Sequence, residues 1–472
     1  MKIPVRELAQ AVHGEILFGD PESCFENITS SSGIIKGNDL FIPIRGERTD
    51  GHRYIANAFE NGAAVSLTHK PEEAGEIREC FPEKAMVAVP DTMEALRQFA
   101  QWFRKEHIRI PVIGITGSVG KTTTREMTAL ALSAGKKVYS TKGNANSQVG
   151  VPITLFETDP EAEISVLELG ISQFGEMERI ATQVCCDLAI LTNIGLSHIG
   201  QFHTQENILI EKLKILTGMP DRSVLLLNGD DPMLSGITQS DLEEMGIAGD
   251  RTFRILKYGF SENCDIRAVG LQTVSGGQSF DILRKDDPEH VIHAHLSVLG
   301  EHMVLNTLAA VAAAVEFGVP AEKACERLSE FTGFEGRGNR VVCRGISFIN
   351  DCYNASPASV KCELEVLRDS ECSGRRIAVL ADMLELGEKE NEYHREVGEY
   401  ILNRIPDLSV LYTYGPLAGC IGETVANGSE RIEVHCFTDF EEMKTCLFRE
   451  ADEKDLVLIK GSHSMGLEKL LR

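Results

Sequence analysis

The chain has 472 residues, with 25% charged and 43% hydrophobic. That length suits about three domains, and the composition excludes disorder, collagen and coiled coil. Lys plus Arg number 47 against 71 Asp plus Glu, a formal charge of −24 without a basic run, which argues against a nucleic-acid partner and leaves any anionic substrate to a few placed cations and backbone amides.

Near the N-terminus no signal-peptide core is found, and no apolar run reaches membrane-spanning length. Thirteen cysteines, odd in number and without a CxxC pair, argue against a disulfide framework or a zinc site and for a reducing compartment. A soluble cytoplasmic protein, not inserted in a membrane and acting as a monomer, is expected.

Residues 40–44 read as a short buried strand, 54–61 as a helix stopped by Gly62, and 85–89 as another strand. Residues 92–107 read as a helix with Asp91 as N-cap and Leu96, Phe99 and Phe103 on one face. From Pro111 the texture turns to repeated β–turn–α units. Strands are expected at 112–116, 164–169, 188–194 and 224–227, near-continuous apolar runs suited to a parallel sheet covered on both faces. A helix from 121 to about 134 closes at Gly135, and an Ala-rich helix from 302 to 317 stops at Gly318 and Pro320. Past Gly336, strands at 347–350, 377–380, 410–412, 433–436 and 456–459 outline a small doubly wound unit. The expectation is an α/β protein of three domains, at 1–107, 108–333 and 334–472.

The sharpest motif is Gly114-Ile-Thr-Gly117-Ser118-Val-Gly120-Lys121-Thr122-Thr123, placed after a strand and opening a helix. Glycines let successive N–H groups turn onto phosphate oxygens, and the helix N-terminus adds partial positive charge. Lys121 would reach the β- and γ-phosphates and Thr122 would hold Mg²⁺ through its hydroxyl. The match is imperfect, since Ile115 stands where the standard pattern has its first glycine, and a glycine-rich turn without nucleotide is the alternative. Three polar clusters fall at or past expected strand ends: Glu168 with Gly170, Asn193 with His198, and Asn228 with Asp230 and Asp231. Glu168 and His198 would lie by the metal region, although a lone His is as readily a structural one. The run Lys142-Gly143-Asn144-Ala-Asn146-Ser147 reads by itself as a loop.

Taken together, these stretches resemble the Mur ligases. That family also carries TG before its GK[ST]. Gly143-Asn-Ala-Asn-Ser-Gln-Val-Gly-Val-Pro152 is similar to the GNxNNxxGVP of one member. Glu168-Leu-Gly170 with Gly175-Glu176, Asn193-Ile-Gly-Leu-Ser-His198, Asp351-Cys-Tyr-Asn-Ala-Ser-Pro357, Asp382-Met-Leu-Glu-Leu-Gly387 with His394, and Lys460-Gly-Ser462 each resemble a further segment. The likeness runs from about Ser30 to the C-terminus. It implies an N-terminal UDP-binding domain, a central P-loop ATPase domain and a C-terminal Rossmann-like domain. The implied reaction joins D-Ala-D-Ala to UDP-MurNAc-tripeptide through an acyl phosphate, with ATP and Mg²⁺, in peptidoglycan precursor synthesis.

The resemblance also implies roles. Lys121, Glu168, His198 and Lys212 would be catalytic, with Thr122, Glu168, His198 and a carbamylated Lys212 holding metal. Thr116, Gly117, Ser118, Val119, Gly120, Lys121, Thr122, Thr123, Asn228, Asn306, Arg337 and Asp351 would bind ATP. Ser31, Ser32, Arg45, Asn144, Asn146, Ser147, Tyr353, Asn354 and Ser356 would bind the other substrates. From the sequence alone Lys212, in Glu211-Lys-Leu-Lys, reads as a solvated helix lysine, and only the resemblance points to carbamylation. Departures from the family pattern are Gly33, Lys214, Met303, Ala381 and His463. Met303 replaces an Asn that would face adenine, and His463 replaces a permanent cation with a titratable one. These departures leave open a different acceptor, or a P-loop ATPase or silent paralogue.

Overall fold

The computed structural model describes residues 2–46 and 49–472. It is an α/β protein built around three main sheets.

The first sheet has five strands, in the order Glu15–Phe18, Ala85–Ala88, Val65–Thr68, Asp39–Phe41 and Asn27–Thr29. The first pair is antiparallel and the others are parallel. The strand expected at 40–44 ends at Phe41. Pro43 has no N–H for a ladder, and Ile44 gives its carbonyl to the Gly51 N–H at 2.9 Å instead. Helix Thr92–His107 falls where the sequence placed it, with the Asp91 carboxylate accepting from the Glu94 N–H at 2.8 Å.

That helix joins the first sheet to the second. Phe99 lies against Phe25, with ring centroids 5.8 Å apart, and Phe103 lies 4.8 Å from Phe156 of helix Gly150–Phe156. One continuous core therefore runs from the N-terminal sheet onto one face of the central sheet. Phe99→Ala is expected to cost about 3–5 kcal/mol, because the cavity opens among four aromatic neighbours that cannot all close in. A lowered midpoint in urea unfolding checks this.

The central sheet has nine strands. From one edge they are Val138–Ser140, Ile164–Glu168, Val112–Thr116, Leu188–Leu191, Val224–Asn228, Arg254–Gly259 and Ile266–Val274, all parallel to their neighbours. Gly277–Arg284 and Asp287–Leu296 then continue antiparallel, so the expected parallel sheet carries an unanticipated antiparallel extension. Helices Lys121–Leu132 and Glu301–Glu316 cover one face, and Glu176–Val184 and Gln205–Leu213 the other. The strand expected at 188–194 stops at Leu191, since Thr192 and Asn193 turn away to grip the phosphate loop. Helix Lys121–Leu132 ends before Gly135, whose backbone is not left-handed, whereas Gly318 closes its helix at φ +81°.

The third sheet has the order Asn339–Cys343, Ile346–Asn350, Leu456–Lys460, Arg376–Ala381, Leu408–Tyr414 and Glu433–Phe437. Only its first pair is antiparallel. The carboxyl ends of its parallel strands, where such sheets present ligands, carry Asp351, Lys460 and Asp382. Among the described residues no helix is long and apolar enough to cross a membrane.

Candidate active site

A cavity of about 440 Å³ lies between the central and third sheets, lined by the phosphate loop on one side and by residues 351–363 on the other. Strand Val112–Thr116 delivers the loop and helix Lys121–Leu132 leaves it. The turn needs Gly117 at φ +150° and Gly120 at φ +83°. A Cβ on Gly117 would stand 1.9 Å from Thr192 Oγ1. Gly117→Ala is therefore expected to weaken ATP binding by about tenfold or more, measured by titration calorimetry.

Segment 192–197 clamps the loop. The Asn193 amide accepts from the Val119 N–H and donates to the Val119 carbonyl, both at 2.9 Å. The Gly195 N–H donates to Ser118 Oγ at 2.8 Å. The loop's turn is thus held by the chain's own hydrogen bonds.

Two lysines converge on it. Lys121 Nζ donates to the Gly117 carbonyl at 2.9 Å and to that of Ser118 at 3.3 Å. Lys212 Nζ donates to the same Gly117 carbonyl, also at 2.9 Å. Arg337 lies 4.0 Å above the Tyr353 ring, in a cation–π contact at the cavity wall. Among the described residues none of these three basic groups is paired with a carboxylate at ion-pair distance. Burial pulls the Lys121 amine below its usual value, with Glu168 opposing and Arg337 adding to the effect. Burial, then the charge of Lys121, pulls Lys212 well below the usual lysine range.

Glu168 is buried at the end of strand Ile164–Glu168. It accepts from Asn146 Nδ2 at 2.7 Å and from Arg125 at 3.4 Å. Arg125 is a buried partner that the sequence reading missed; it also donates to the Gly143 carbonyl at 2.8 Å, which ties the 142–147 loop to the phosphate-loop helix. His198, at φ 61°, pairs through Nδ1 with Glu385 of the C-terminal unit at 2.7 Å. Its pKa is lowered, first by burial, with Lys121 and Lys212 adding to the effect and Glu385 opposing it.

The remaining expected residues divide. Ser118, Val119, Gly120, Thr122, Thr123, Asn146, Ser147, Asn228, Asn306, Asp351, Tyr353, Asn354 and Ser356 line the same cavity. Several of them are also occupied structurally. Asn228 bonds the Thr192 carbonyl and the Asp230 N–H. Ser356 caps helix Pro357–Asp369, and Asn306 accepts from Thr124 Oγ1 at 3.0 Å. Asp351 is bonded to Lys460, which also donates to the Asn354 carbonyl at 3.1 Å. Asn144 lines an adjoining cavity with Arg125, Phe334 and Arg337. Thr116 is buried behind the loop. Ser31, Ser32 and Arg45 sit on the N-terminal unit and do not line this cavity.

Two sequence readings change character. Asp230 and Asp231 are spent on backbone N–H groups, Asp230 on those of Phe260 and Ser261 and Asp231 on that of Ile194, so they hold loops together. His394 accepts from the Met383 N–H at 3.0 Å and pairs with the Glu390 carbonyl at 2.7 Å; it is a fully buried structural histidine. Lys214 turns to Glu211 at 2.8 Å, away from Lys212.

A phosphate loop opening a helix, basic side chains around it without carboxylate partners among the described residues, and a second α/β unit across the cavity define a nucleotide-using P-loop enzyme. Residues 25–104 match the Mur ligase family catalytic domain, 115–314 the Mur ligase middle domain, and 336–463 the Mur ligase glutamate ligase domain. The chain is 32% identical to the UDP-N-acetylmuramoyl-tripeptide–D-alanyl-D-alanine ligase of Bacillus subtilis over 489 residues, covering 100% of this chain and 98% of that one. Among solved structures, MurF from Acinetobacter baumannii superposes with a TM-score of 0.86 at 27% identity, covering 100% of this chain and 98% of that one. MurF ligase from Thermotoga maritima in complex with ADP gives 0.78 at 26%, covering 94% and 96%. The chain belongs to the Mur ligase family.

Proposed function

We propose that this chain joins D-alanyl-D-alanine to UDP-N-acetylmuramoyl-tripeptide, cleaving ATP to ADP and phosphate. The observation that carries the reading is the pair of cations Lys121 and Arg337, with the buried Lys212 amine beside them, all without a carboxylate partner among the described residues at a phosphate loop in a chain of net charge −24. A relative of that name covers the whole chain.

The chemistry needs such a site. A carboxylate cannot acylate an amine directly, since oxide would have to leave. Its oxygen therefore attacks the γ-phosphorus, ADP departs, and an acyl phosphate results. The dipeptide amine then attacks the acyl carbon, and phosphate leaves with the bonding pair while the amine loses a proton. In the first step two anions must meet. Lys121, the loop N–H groups and Arg337 offset that repulsion.

The Thr122 hydroxyl and the Glu168 carboxylate, in one cavity wall, are the oxygen donors that Mg²⁺ prefers. When bound, the ion would neutralise charge on the β- and γ-phosphates. His198 is a softer donor already paired with Glu385, and suits Mg²⁺ less well. Burial and the charge of Lys121 shift Lys212 toward the neutral amine that carbamylation requires. Thirteen free cysteines accord with a cytoplasmic setting.

The test is phosphate release with ATP and Mg²⁺, adding the nucleotide tripeptide and the dipeptide singly and together. Release only with both, and a pentapeptide product by mass, is the expected result. Turnover with another dipeptide but not D-Ala-D-Ala would move the acceptor. ATP hydrolysis indifferent to both would overturn the ligase reading.

A further inference from the structure

From the phosphate loop the cavity continues between helices Glu301–Glu316 and Pro357–Asp369. Asn306 is tied to the first turn of the phosphate-loop helix through Thr124. Met303, three residues earlier on the same helix face, and His302 extend this wall. Cys362 and Glu363 form the wall opposite. A nucleoside triphosphate held by its phosphates at Lys121 would lay its base between these walls. Met303 offers that base no hydrogen bond, and His302 turns to Glu363, with Nε2 and Oε1 3.5 Å apart.

Glu363 is 5% exposed, and its Oε2 is buried without a hydrogen-bond partner. An unpartnered buried carboxyl is costly to keep unless a ligand uses it. Lys460, the cation that pulls on it most, is already bonded to Asp351.

We propose that Glu363 is a specificity-determining residue for the nucleotide base, reading the purine 6-amino group and the adjacent ring nitrogen through a neutral carboxyl. This rests on the ATP-dependent reading above. A carboxylic acid offers one O–H donor and one C=O acceptor side by side. Adenine offers the complement, a ring-nitrogen acceptor beside an amino donor. A carboxylate would offer two acceptors and leave the ring nitrogen unmatched.

The surroundings favour the neutral form. Burial, and then the charge of Asp351, pushes the Glu363 acid up to about 8, against the pull of Lys460 and Arg340. Burial holds His302 down to about 4, so the imidazole facing Glu363 is uncharged at neutral pH.

The experiment is calorimetric titration of the full-length protein, without other substrates, using ATP and purine riboside triphosphate, which lacks the 6-amino group. Wild type is expected to bind ATP about tenfold more tightly than the analogue, one hydrogen bond of the ordinary size. Glu363→Ala is expected to bind the two alike, with ATP weakened about tenfold. Glu363→Gln, whose amide also offers a donor and an acceptor, is expected to stay within threefold of wild type for ATP. Wild-type affinity for ATP should fall above pH 8 while that of Glu363→Gln does not. Discrimination by Glu363→Ala equal to that of wild type overturns the proposal, as does Glu363→Gln binding no better than Glu363→Ala. Wild type that binds no nucleotide would instead sink the ATP-dependent reading itself.

Discussion

Lys121→Met is expected to lower kcat/KM for ligation by about 10²–10³-fold while leaving the fold intact. The two effects separate because Lys121 does two things. Its Nζ donates to the Gly117 and Ser118 carbonyls, which supports the loop. Those bonds contribute about 1.5–3 kcal/mol each, and the loop is also held from the other side by Asn193 and Ser197. Against them stands the cost of a half-buried ammonium without a carboxylate partner among the described residues. Removing it should leave thermal stability nearly unchanged. During phosphoryl transfer, by contrast, nothing replaces the charge: Lys212 is held toward its neutral amine, and Arg337 reaches the cavity from the other unit. Phosphate-release kinetics beside a melting curve test both halves. Full activity in the variant would mean that the loop's N–H groups alone carry the phosphates.

What could be read from the sequence was local. The strand–loop–helix around Gly120 and the Asp91-capped helix have their signals within a few consecutive residues: an apolar run, a glycine turn, a cap three residues from the N–H it serves. The strand at 287–296 also had a signal, since Ile292, Ala294 and Leu296 alternate inward with exposed residues between them, but its histidines and glutamate masked it. The site's polar pairs had none. Arg125 meets Glu168 across 43 positions, and Lys460 meets Asp351 across 109. Beside Glu126 in a helix, Arg125 reads as an ordinary surface charge. Glu363 sits in the apolar rhythm of helix Pro357–Asp369 as a single interruption, and only the fold shows that it faces a cavity rather than water.

The same long-range pairs explain why the site spans units. His198 of the central unit meets Glu385 of the third, and Gly200 packs against Gly387, where an added Cβ would come within 3.5 Å of that backbone. Arg337, Asp351 and Lys460 enter from the third unit, whereas Lys121 and Lys212 belong to the second. A reaction that must first bring together two anions and then admit an amine needs groups on separate bodies, so that closure can assemble the site and opening can release products.

Lys212→Met is expected to be inactive, down by about 10²-fold or more, yet to melt higher than wild type at pH 7. Lys212 is 3% exposed and faces Lys121 across the Gly117 carbonyl. Its folded-state pKa lies well below that of the unfolded chain, about 10.4. Between those two values the unfolded state binds more protons than the folded one, so stability rises with pH across that window. Below the folded-state value both states hold the proton and the penalty is complete. Near neutrality wild type therefore carries most of this cost, and methionine, similar in length and apolar, removes it. The gain should be on the order of 1 kcal/mol, and the pH slope it accompanies should flatten. Under the proposed carbamylation the neutral amine would add CO₂, giving a carbamate and a proton, which is a reason for the site to keep this cost. Wild type stripped of CO₂ should lose activity that bicarbonate restores, whereas Lys212→Met should not respond. A variant that keeps more than a tenth of wild-type turnover, or a wild type indifferent to bicarbonate, would reduce Lys212 to a strut beneath the phosphate loop.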